Sequence, residues 1–211
     1  MIKNYIFDFG NVLAEFYPER MTAGYITNEK EIKRVADIVF DRLYWDRLDE
    51  GAITDEEVKA GIRSRLPEEL CDDACKVYDN WISSIIPVKG MYEVICGIKN
   101  KGGKLYLLSN ISKGFAENYK NIEWINKLLS MFDGLVMSGE IGIVKPHKEI
   151  FEYVLDKFNL KAEECIFIDD RDENILGGKT VGIKGYLFDG DAENLRKYIK
   201  GMLKKSGASK G

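Results

Sequence analysis

Short apolar runs alternate with amphipathic helical patterns along most of the chain. The predicted strands are Asn4–Phe7, Lys104–Leu108, Leu135–Met137, Cys165–Ile168 and Gly185–Phe188. Runs that are apolar at every position, rather than at every second position, are typical of a parallel sheet that is covered on both faces. The helices predicted beside them are Gly90–Asn100, Lys148–Phe158, Asn174–Val181 and Ala192–Lys204. This alternation predicts an α/β fold with a doubly wound parallel sheet.

A long helical block separates the first predicted strand from the others. Its predicted helices are Asn28–Arg47, Thr54–Leu66 and Glu68–Ser84. Thr54 and Glu57 have the spacing of a capping box, and Pro67 suits a helix start. We therefore predict a Rossmann-like core formed by residues 1–15 and 87–205, an all-helical insert at residues 16–86, and a flexible tail at residues 206–211.

Composition narrows the class of protein further. The chain has 211 residues, is 45% hydrophobic and 31% charged, and carries a formal net charge of −4. Because it has no basic block, we expect no nucleic acid partner. No apolar run is long enough to span a bilayer, so we expect no membrane partner. The strand pattern that includes Tyr5 leaves no room for a signal peptide, which predicts a cytoplasmic protein. The oligomeric state stays open.

The four cysteines do not form a recognisable metal motif. Cys71 and Cys75 lie one helical turn apart, but no second pair completes a zinc-binding pattern with them. We expect Cys71, Cys75, Cys96 and Cys165 to be buried, reduced thiols, as is usual for an intracellular protein.

Polar residues follow several of the predicted strands. They are Asp8, Ser109, Asn110, Asp169 and Asp170, and Lys145 precedes Pro146 and a helix. Each residue taken singly also suits a turn or a helix cap. In open α/β sheets, however, ligands bind outside the carboxyl ends of the strands. The coincidence of all these residues at strand ends therefore favours a binding site.

The chemistry of these side chains predicts phosphoryl transfer. Three clustered carboxylates raise each other's pKa, and a divalent cation such as Mg²⁺, which prefers oxygen ligands, relieves their repulsion. A metal ion, an ammonium group and a hydroxyl together suit a phosphate. An aspartate among them can attack phosphorus and form an aspartyl phosphate. The residues alone thus indicate Mg²⁺-dependent phosphoryl transfer through a covalent intermediate.

Four motifs make the chain resemble the haloacid dehalogenase-like hydrolase superfamily. They are "FDFGNV", "LLSN", "VKP" and "FIDDRDEN", and they occur in the order and spacing of that family. The resemblance implies that Asp8 is the nucleophile and that Ser109 and Asn110 bind the transferring phosphoryl group. It also implies that Lys145 neutralises the phosphate and the nucleophile. Asn174 matches a later polar position of the acidic motif.

The resemblance also implies a metal site and a cap. Magnesium would be held by the Asp8 carboxylate, the Gly10 carbonyl and Asp170, with Asp169 acting through water or through its neighbours. The helical insert would be the family's cap over the catalytic edge. Its stretch "WDRLDEGAITDEEV" resembles the cap of the bacterial sugar-phosphatase-like branch, whose members also include proteins with "GNV" after the nucleophile.

One position departs from the family pattern. Most family phosphatases have a second Asp two residues after the nucleophile, as general acid and base, where this chain has Gly10. Loss of such a group typically costs ~10²–10⁴ in rate. A substrate with a good leaving group, such as a sugar 1-phosphate, would suffer least. Alternatively, another residue supplies the proton, and Glu15, in the predicted flap after the first strand, is one candidate.

Other conspicuous residues have ordinary explanations. His147 lies beside Lys145 at a predicted helix start, and we expect a helix-start or surface role for it. Tyr44, Trp45 and Trp81 belong to the helical insert, and we expect them to form its packed interior rather than a substrate pocket.

Three functions follow from these residues. The leading prediction is a magnesium-dependent phosphatase of a small phosphorylated metabolite. A 2-haloacid dehalogenase also uses the first Asp and needs no acid at Gly10, but a metal-free site gains nothing from the adjacent carboxylates of Asp169 and Asp170. The third is a catalytically weak phosphate-binding or regulatory protein, which would share every binding residue with the phosphatase.

Overall fold

The computed structural model describes residues 1–208, and the side chains of residues 1–202. The strands are β1 (Asn4–Phe7), β2 (Ala14–Glu15), β3 (Ile86–Pro87), β4 (Lys104–Ser109), β5 (Gly134–Met137), β6 (Cys165–Asp169) and β7 (Lys184–Leu187). The α-helices are α1 (Pro18–Thr22), α2 (Glu29–Val39), α3 (Arg42–Asp49), α4 (Asp55–Arg65), α5 (Glu68–Asp79), α6 (Trp81–Ser84), α7 (Met91–Lys99), α8 (Lys113–Asn118), α9 (Glu123–Leu129), α10 (Ser138–Ile141), α11 (Lys148–Lys157), α12 (Asp172–Thr180) and α13 (Ala192–Ala208). Helix α13 continues past its predicted end at Lys204, and residues 209–211 of the predicted tail lie outside the described residues.

A five-stranded parallel sheet with strand order β5-β4-β1-β6-β7 lies at the centre of the molecule. In the central strand β1, Phe7 stands opposite Leu107 of β4 and Ile168 of β6. The chain builds outward from β1 to β5, then returns and builds outward on the other side through β6. This reversal makes the sheet doubly wound and Rossmann-like, so the predicted fold class is confirmed. Because the strands are parallel, their carboxyl ends meet at one edge.

Alternate residues of the central strands enter two separate hydrophobic clusters. Tyr5 and Phe7 belong to one cluster, and Ile6 belongs to the other. The first cluster continues from the sheet into the helical insert, where it includes Trp45 and Ile62. Burial on both faces explains why these strands are apolar at every position.

The antiparallel pair β2–β3 forms the base of the helical insert, which we define as α1 to α6. Ala14 is paired with Pro87 where the chain enters and leaves the insert. The capping box of Thr54 and Glu57 is confirmed at the start of α4. The short strands β2 and β3 were not predicted, since two-residue strands leave almost no periodic pattern.

The predicted continuous helix Asn28–Arg47 is wrong. Helix α2 ends at Val39, and Asp41 has an extended backbone and accepts a hydrogen bond of 2.9 Å from the backbone N–H of Leu43. Asp41 is therefore the N-cap of a new helix, α3. The predicted helix Glu68–Ser84 is likewise interrupted, at Asn80 between α5 and α6.

The state of the cysteines can be read from the fold. All four cysteines are free thiols; Cys71, Cys75 and Cys165 are buried, whereas Cys96 is partly exposed. Among the described residues, no helix combines the length and apolar character needed to cross a membrane.

Candidate active site

Neighbouring strands bring the predicted residues together at the carboxyl edge of the sheet. Asp8 directly follows β1, and its backbone N–H extends the ladder to the Ile168 carbonyl at 2.9 Å. Ser109 and Asp169 are the last residues of the two flanking strands, β4 and β6. Lys145 enters from the loop between α10 and α11. Four segments that are distant in the sequence thus converge on one point.

The Asp8 carboxylate is held by two donors. The Ser109 hydroxyl donates to Asp8 Oδ1 at 2.8 Å, and Lys145 Nζ lies 2.8 Å from the same oxygen. All three residues are buried, and Lys145 is only 3% exposed. These contacts fix the carboxylate at the strand end and leave Oδ2 outside both of them.

Lys145 is positioned by a second carboxylate and by Asn110. Its ammonium donates to Asp169 Oδ2 at 2.7 Å. The Asn110 side chain donates to the Lys145 carbonyl at 2.9 Å and accepts from the Lys145 backbone N–H at 2.8 Å. Asn110 therefore orients the lysine segment, and its predicted contact with substrate stays a prediction.

Asp169 is fully buried and surrounded by hydrogen-bond donors. Besides Lys145, Asn174 donates to both of its oxygens at 3.0 and 3.1 Å, and the Arg171 backbone N–H donates to Oδ1 at 2.9 Å. Asn174 lies in the first turn of α12, so the helix start aims its amide at the strand end. These contacts fix the Asp169 carboxylate at the end of β6, and its indirect role in metal binding stays a prediction.

Asp170 is tied to the loop that follows Asp8. Asn11 has a backbone φ of 54°, in the left-handed region. Its amide nitrogen donates to Asp170 Oδ2 at 3.3 Å, and its amide oxygen accepts from the Phe16 backbone N–H at 3.1 Å. Among the described residues, the Gly10 carbonyl takes part in none of the hydrogen bonds found, whereas the Phe9 carbonyl accepts from Ala14 N–H at 3.0 Å.

The electrostatics of the cluster follow from its burial. Burial, with smaller contributions from the charges of Asp169 and Asp170, raises the pKa of Asp8 to about 6 against the opposing effect of Lys145. Burial alone would lower the pKa of Lys145, but the charges of Asp8 and Asp169 outweigh it and raise that pKa overall. Burial and Asp169 also raise the pKa of Asp170.

The donor set fits a hard divalent cation. Asp8, Asp169 and Asp170 each offer a carboxylate oxygen, and these oxygens lie within 4.8 Å of one another. The Lys145 ammonium is paired with Asp8 and with Asp169 but not with Asp170, so the cluster keeps an excess of negative charge. Oxygen ligands and an excess of negative charge are what Mg²⁺ prefers.

A cavity of about 190 Å³ lies between this edge and the helical insert. Its polar wall contains Asp8, Ser109 and Lys145, and its apolar wall contains Trp45 and Trp81 of the insert. The two indole rings lie 5.2 Å apart, centre to centre, and both side chains also belong to the packed interior. The two tryptophans therefore have both roles, packing and cavity wall, where we expected packing alone.

Two other predicted residues lie away from the cavity. The Glu15 carboxylate is paired with Arg20 at 3.0 Å, and the cavity is lined instead by its neighbours Ala14 and Phe16. His147 is exposed at the N-cap position of α11, as expected.

Two acids of α3, Asp46 and Asp49, line the cavity, and neither was predicted from the sequence. Asp49 is the last residue of that helix. The chain turns away directly after it, because Gly51 adopts a φ of 68° that favours glycine. The signal was available: Asp49 stands four residues after Trp45, on the same face of a helix that ends in "DEG". Without the docking of that helix on the core, however, the sequence does not say what this face contacts.

Comparison with known proteins gives consistent matches. A family model described as haloacid dehalogenase-like hydrolase matches residues 2–182. The sesquiterpene phosphatase astK of Aspergillus oryzae is 25% identical over 182 residues, which cover 85% of this chain and 86% of that protein. The D-ribitol-5-phosphate phosphatase of Bacteroides thetaiotaomicron is 26% identical over 201 residues, which cover 92% and 95%.

Solved structures agree on the fold. A variant of the HAD family enzyme bt-2542 from Bacteroides thetaiotaomicron, in complex with magnesium and inorganic phosphate, matches with a TM-score of 0.67. The match covers 92% of this chain and 99% of that one at 23% identity. At this level of identity the likeness establishes the shared fold.

Proposed function

Because this chain belongs to the haloacid dehalogenase-like hydrolase family, we propose that it is a magnesium-dependent phosphatase of small phosphorylated metabolites. The observation that carries the proposal is the Asp8 carboxylate, which shares one oxygen between the Ser109 hydroxyl and the Lys145 ammonium beside two further carboxylates. The two phosphatases named above, which match most of this chain, support the same class of reaction.

Magnesium would be held by the carboxylates of Asp8 and Asp170 and by the Gly10 carbonyl. Asp169 would act indirectly, through water or through the residues that it contacts. Support comes from the clustering of the three carboxylates and from a Gly10 carbonyl that is not engaged elsewhere among the described residues. When bound, the metal would neutralise charge on the phosphoryl group and on the carboxylates, which is the main requirement of phosphoryl transfer.

The chain's own residues would then act in two steps. Asp8 attacks phosphorus and forms an aspartyl phosphate while the alcohol leaves, and water then releases inorganic phosphate and regenerates the carboxylate. Ser109 and Lys145 donate to phosphoryl oxygens, and Lys145 offsets the negative charge that Asp8 and the phosphate bring together. Asn110 and Asp169 hold Lys145 in place for this task.

The division into a core at residues 1–15 and 87–205 and a cap at residues 16–86 belongs to the same proposal. The insert contributes Trp45 and Trp81 to the cavity wall, so a substrate bound there would be shielded from water on that side. Because this wall is aromatic, the substrate panel should include phosphates with an apolar portion as well as sugar phosphates. A cytoplasmic location stays a prediction.

The test is turnover of a panel of sugar, alkyl and aryl phosphates, with Mg²⁺ and with excess chelator. We expect phosphate release that needs Mg²⁺ and falls by at least ~10³ in Asp8→Asn, which keeps the shape but removes the nucleophile. Asp156→Asn, an exposed acid on α11, is the matched control and should match the wild type.

Each other outcome points to a different function. Activity that survives Asp8→Asn excludes the aspartyl phosphate. Dehalogenation of a 2-haloacid in excess chelator would favour the dehalogenase. Phosphate binding with no turnover of any substrate would favour a regulatory protein.

A further inference from the structure

The side chain of Asp49 has an unusual environment. Asp49 lines the cavity together with Asp8 and Gly10, although it comes from the insert rather than from the sheet edge. Its Oδ1 atom is buried, and it has no hydrogen-bond partner among the described residues. A buried carboxyl oxygen without a partner is costly, so such a group in a cavity is commonly there to meet a ligand.

Other acids near the cavity are engaged. Asp46 lies one turn earlier on α3, is exposed, and is paired with Arg42 at 2.9 Å. Glu15 is paired with Arg20. Asp49 is the acid in the cavity wall that belongs neither to such an ion pair nor to the carboxylate cluster around Lys145.

The core holds the Asp49 backbone in place. The Ser138 hydroxyl donates to the Asp49 carbonyl at 2.6 Å and accepts from the Ile111 backbone N–H at 2.9 Å. Ser138 starts α10 directly after β5, and Ile111 lies two residues after Ser109. One hydroxyl thus ties the end of α3 to the sheet edge that carries the nucleophile.

The burial of Asp49 favours its protonated form. Burial, together with the charges of Asp46 on the same helix and of Asp8 at the end of β1, raises the pKa of Asp49 to about 8. Arg42 and Lys145 oppose this shift without cancelling it. A carboxylic acid that keeps its proton at neutral pH can donate it during a reaction.

We propose that Asp49 is the general acid and base of this enzyme, in the place that Gly10 leaves without a side chain. The assignment rests on the proposed phosphatase function. In the first step Asp8 oxygen bonds to phosphorus, the bond from phosphorus to the substrate oxygen breaks, and Asp49 gives its proton to that leaving oxygen. In the second step the Asp49 carboxylate takes a proton from water as the water oxygen bonds to phosphorus. The bond from phosphorus to Asp8 then breaks, which releases phosphate and restores both carboxyl groups.

The test compares leaving groups in Asp49→Asn. An alkyl phosphate needs protonation of its leaving oxygen, whereas 4-nitrophenyl phosphate does not. We expect kcat/KM to fall by ~10²–10⁴ for the alkyl phosphate and by less than about tenfold for the nitrophenyl ester. The variant also lacks the base for hydrolysis of the aspartyl phosphate, so this second step becomes slow. It should therefore release a burst of one equivalent of nitrophenol and then turn over slowly.

Two neighbouring acids are the controls. Glu50→Gln changes the exposed residue next to Asp49 and should match the wild type on both substrates. Asp46→Asn changes the other acid of α3 that reaches the cavity. If Asp46→Asn, rather than Asp49→Asn, gave the loss that depends on the leaving group, the assignment to Asp49 would be wrong.

The remaining outcomes separate this inference from the phosphatase proposal. If a folded Asp49→Asn protein lost activity equally on both substrates, or lost none, the role of Asp49 would be overturned. The phosphatase proposal would still stand as long as the activity of the wild type depended on Asp8. A wild type without turnover would overturn both. If Asp49→Asn does not fold, the wild-type pH profile decides: kcat/KM should fall above neutral pH for the alkyl phosphate but not for the nitrophenyl ester, and identical profiles would contradict us.

Discussion

At the scale of single residues, two carboxyl groups in one cavity have contrasting surroundings. Asp8 is held by Ser109 and Lys145, and its pKa is raised to about 6 chiefly by burial. Asp49 has neither contact, and burial raises its pKa to about 8. Environments that push the pKa values of two nearby acids apart suit one acid to act as a nucleophile and the other as a proton donor.

The raised pKa of Asp49 predicts a pH-dependent stability cost. Between pH 5 and pH 7 the unfolded chain has lost this proton while the folded protein keeps it, so folded stability falls as pH rises through this range. Asp49→Asn removes this proton linkage. In metal-free protein, we therefore expect Asp49→Asn to gain stability relative to the wild type: the difference between their free energies of unfolding should be about 1–3 kcal/mol larger, in favour of the variant, at pH 7 than at pH 5. Urea unfolding at the two pH values measures this difference.

Glu50→Gln provides the matched baseline for that measurement. Its side chain is exposed, so its difference from the wild type should stay constant between the two pH values. A difference for Asp49→Asn that is equally flat would show that Asp49 ionises normally in the folded protein, and it would remove the electrostatic support for its acid role.

The sequence predicted the residues of the sheet edge but not Asp49, and the reason is physical. Asp8, Ser109 and Asp169 end or follow buried strands, and parallel strands necessarily bring such ends together. Asp49 reaches the site only because α3 docks on the core through Ser138. That docking is a tertiary contact between segments 89 residues apart, and no local pattern encodes it.

At the scale of elements, the break between α2 and α3 gives the cavity its wall. Helical periodicity continues across the break, so the sequence pattern predicted one helix. The N-cap of Asp41 and the Trp45 indole, which donates to the Val39 carbonyl at 2.7 Å, stabilise the break instead. Because α3 takes a new direction, Trp45 and Asp49 on one of its faces both reach the cavity.

The contact between α10 and the neighbouring loop predicts the effect of Gly139→Ala. A Cβ atom at Gly139 would lie 2.5 Å from the Lys113 backbone nitrogen and 2.8 Å from the Ser112 carbonyl carbon, so backbone would have to move. We expect a loss of about 1–3 kcal/mol in the free energy of unfolding. Since adjacent Ser138 anchors Asp49, phosphatase activity toward an alkyl phosphate should also fall.

Gly97→Ala is the control for that substitution. Gly97 lies within α7 and has open space where a Cβ would stand. Alanine there should stabilise the protein by roughly 0.5–1 kcal/mol and leave activity unchanged. If denaturant unfolding ranked both variants alike, the close packing at Gly139 would not be a constraint on the fold.

At the scale of the whole molecule, one hydrophobic cluster links the sheet to the insert, and the cavity lies where they meet. The same cluster contains Phe7 of the sheet and Ile62 of the insert. The fold therefore places three carboxylates with one ammonium group inside a shared, partly closed space. Mutual repulsion among these carboxylates lowers the stability of the whole fold rather than of one loop, because the strands that carry the carboxylates are central.

This repulsion predicts that magnesium stabilises the protein. A ligand at 100 times its dissociation constant contributes ~2.7 kcal/mol, and ~2–4 °C per kcal/mol is usual for a chain of this size. We therefore expect Mg²⁺ to raise the Tm by about 5–10 °C over protein in excess chelator. Asp170→Asn should abolish most of this rise, because it removes a proposed ligand without touching the contacts of Lys145, whereas the exposed control Asp156→Asn should retain it. Thermal unfolding needs no substrate, so a Tm that is the same in Mg²⁺ and in chelator would argue against the metal site whatever the enzyme's activity.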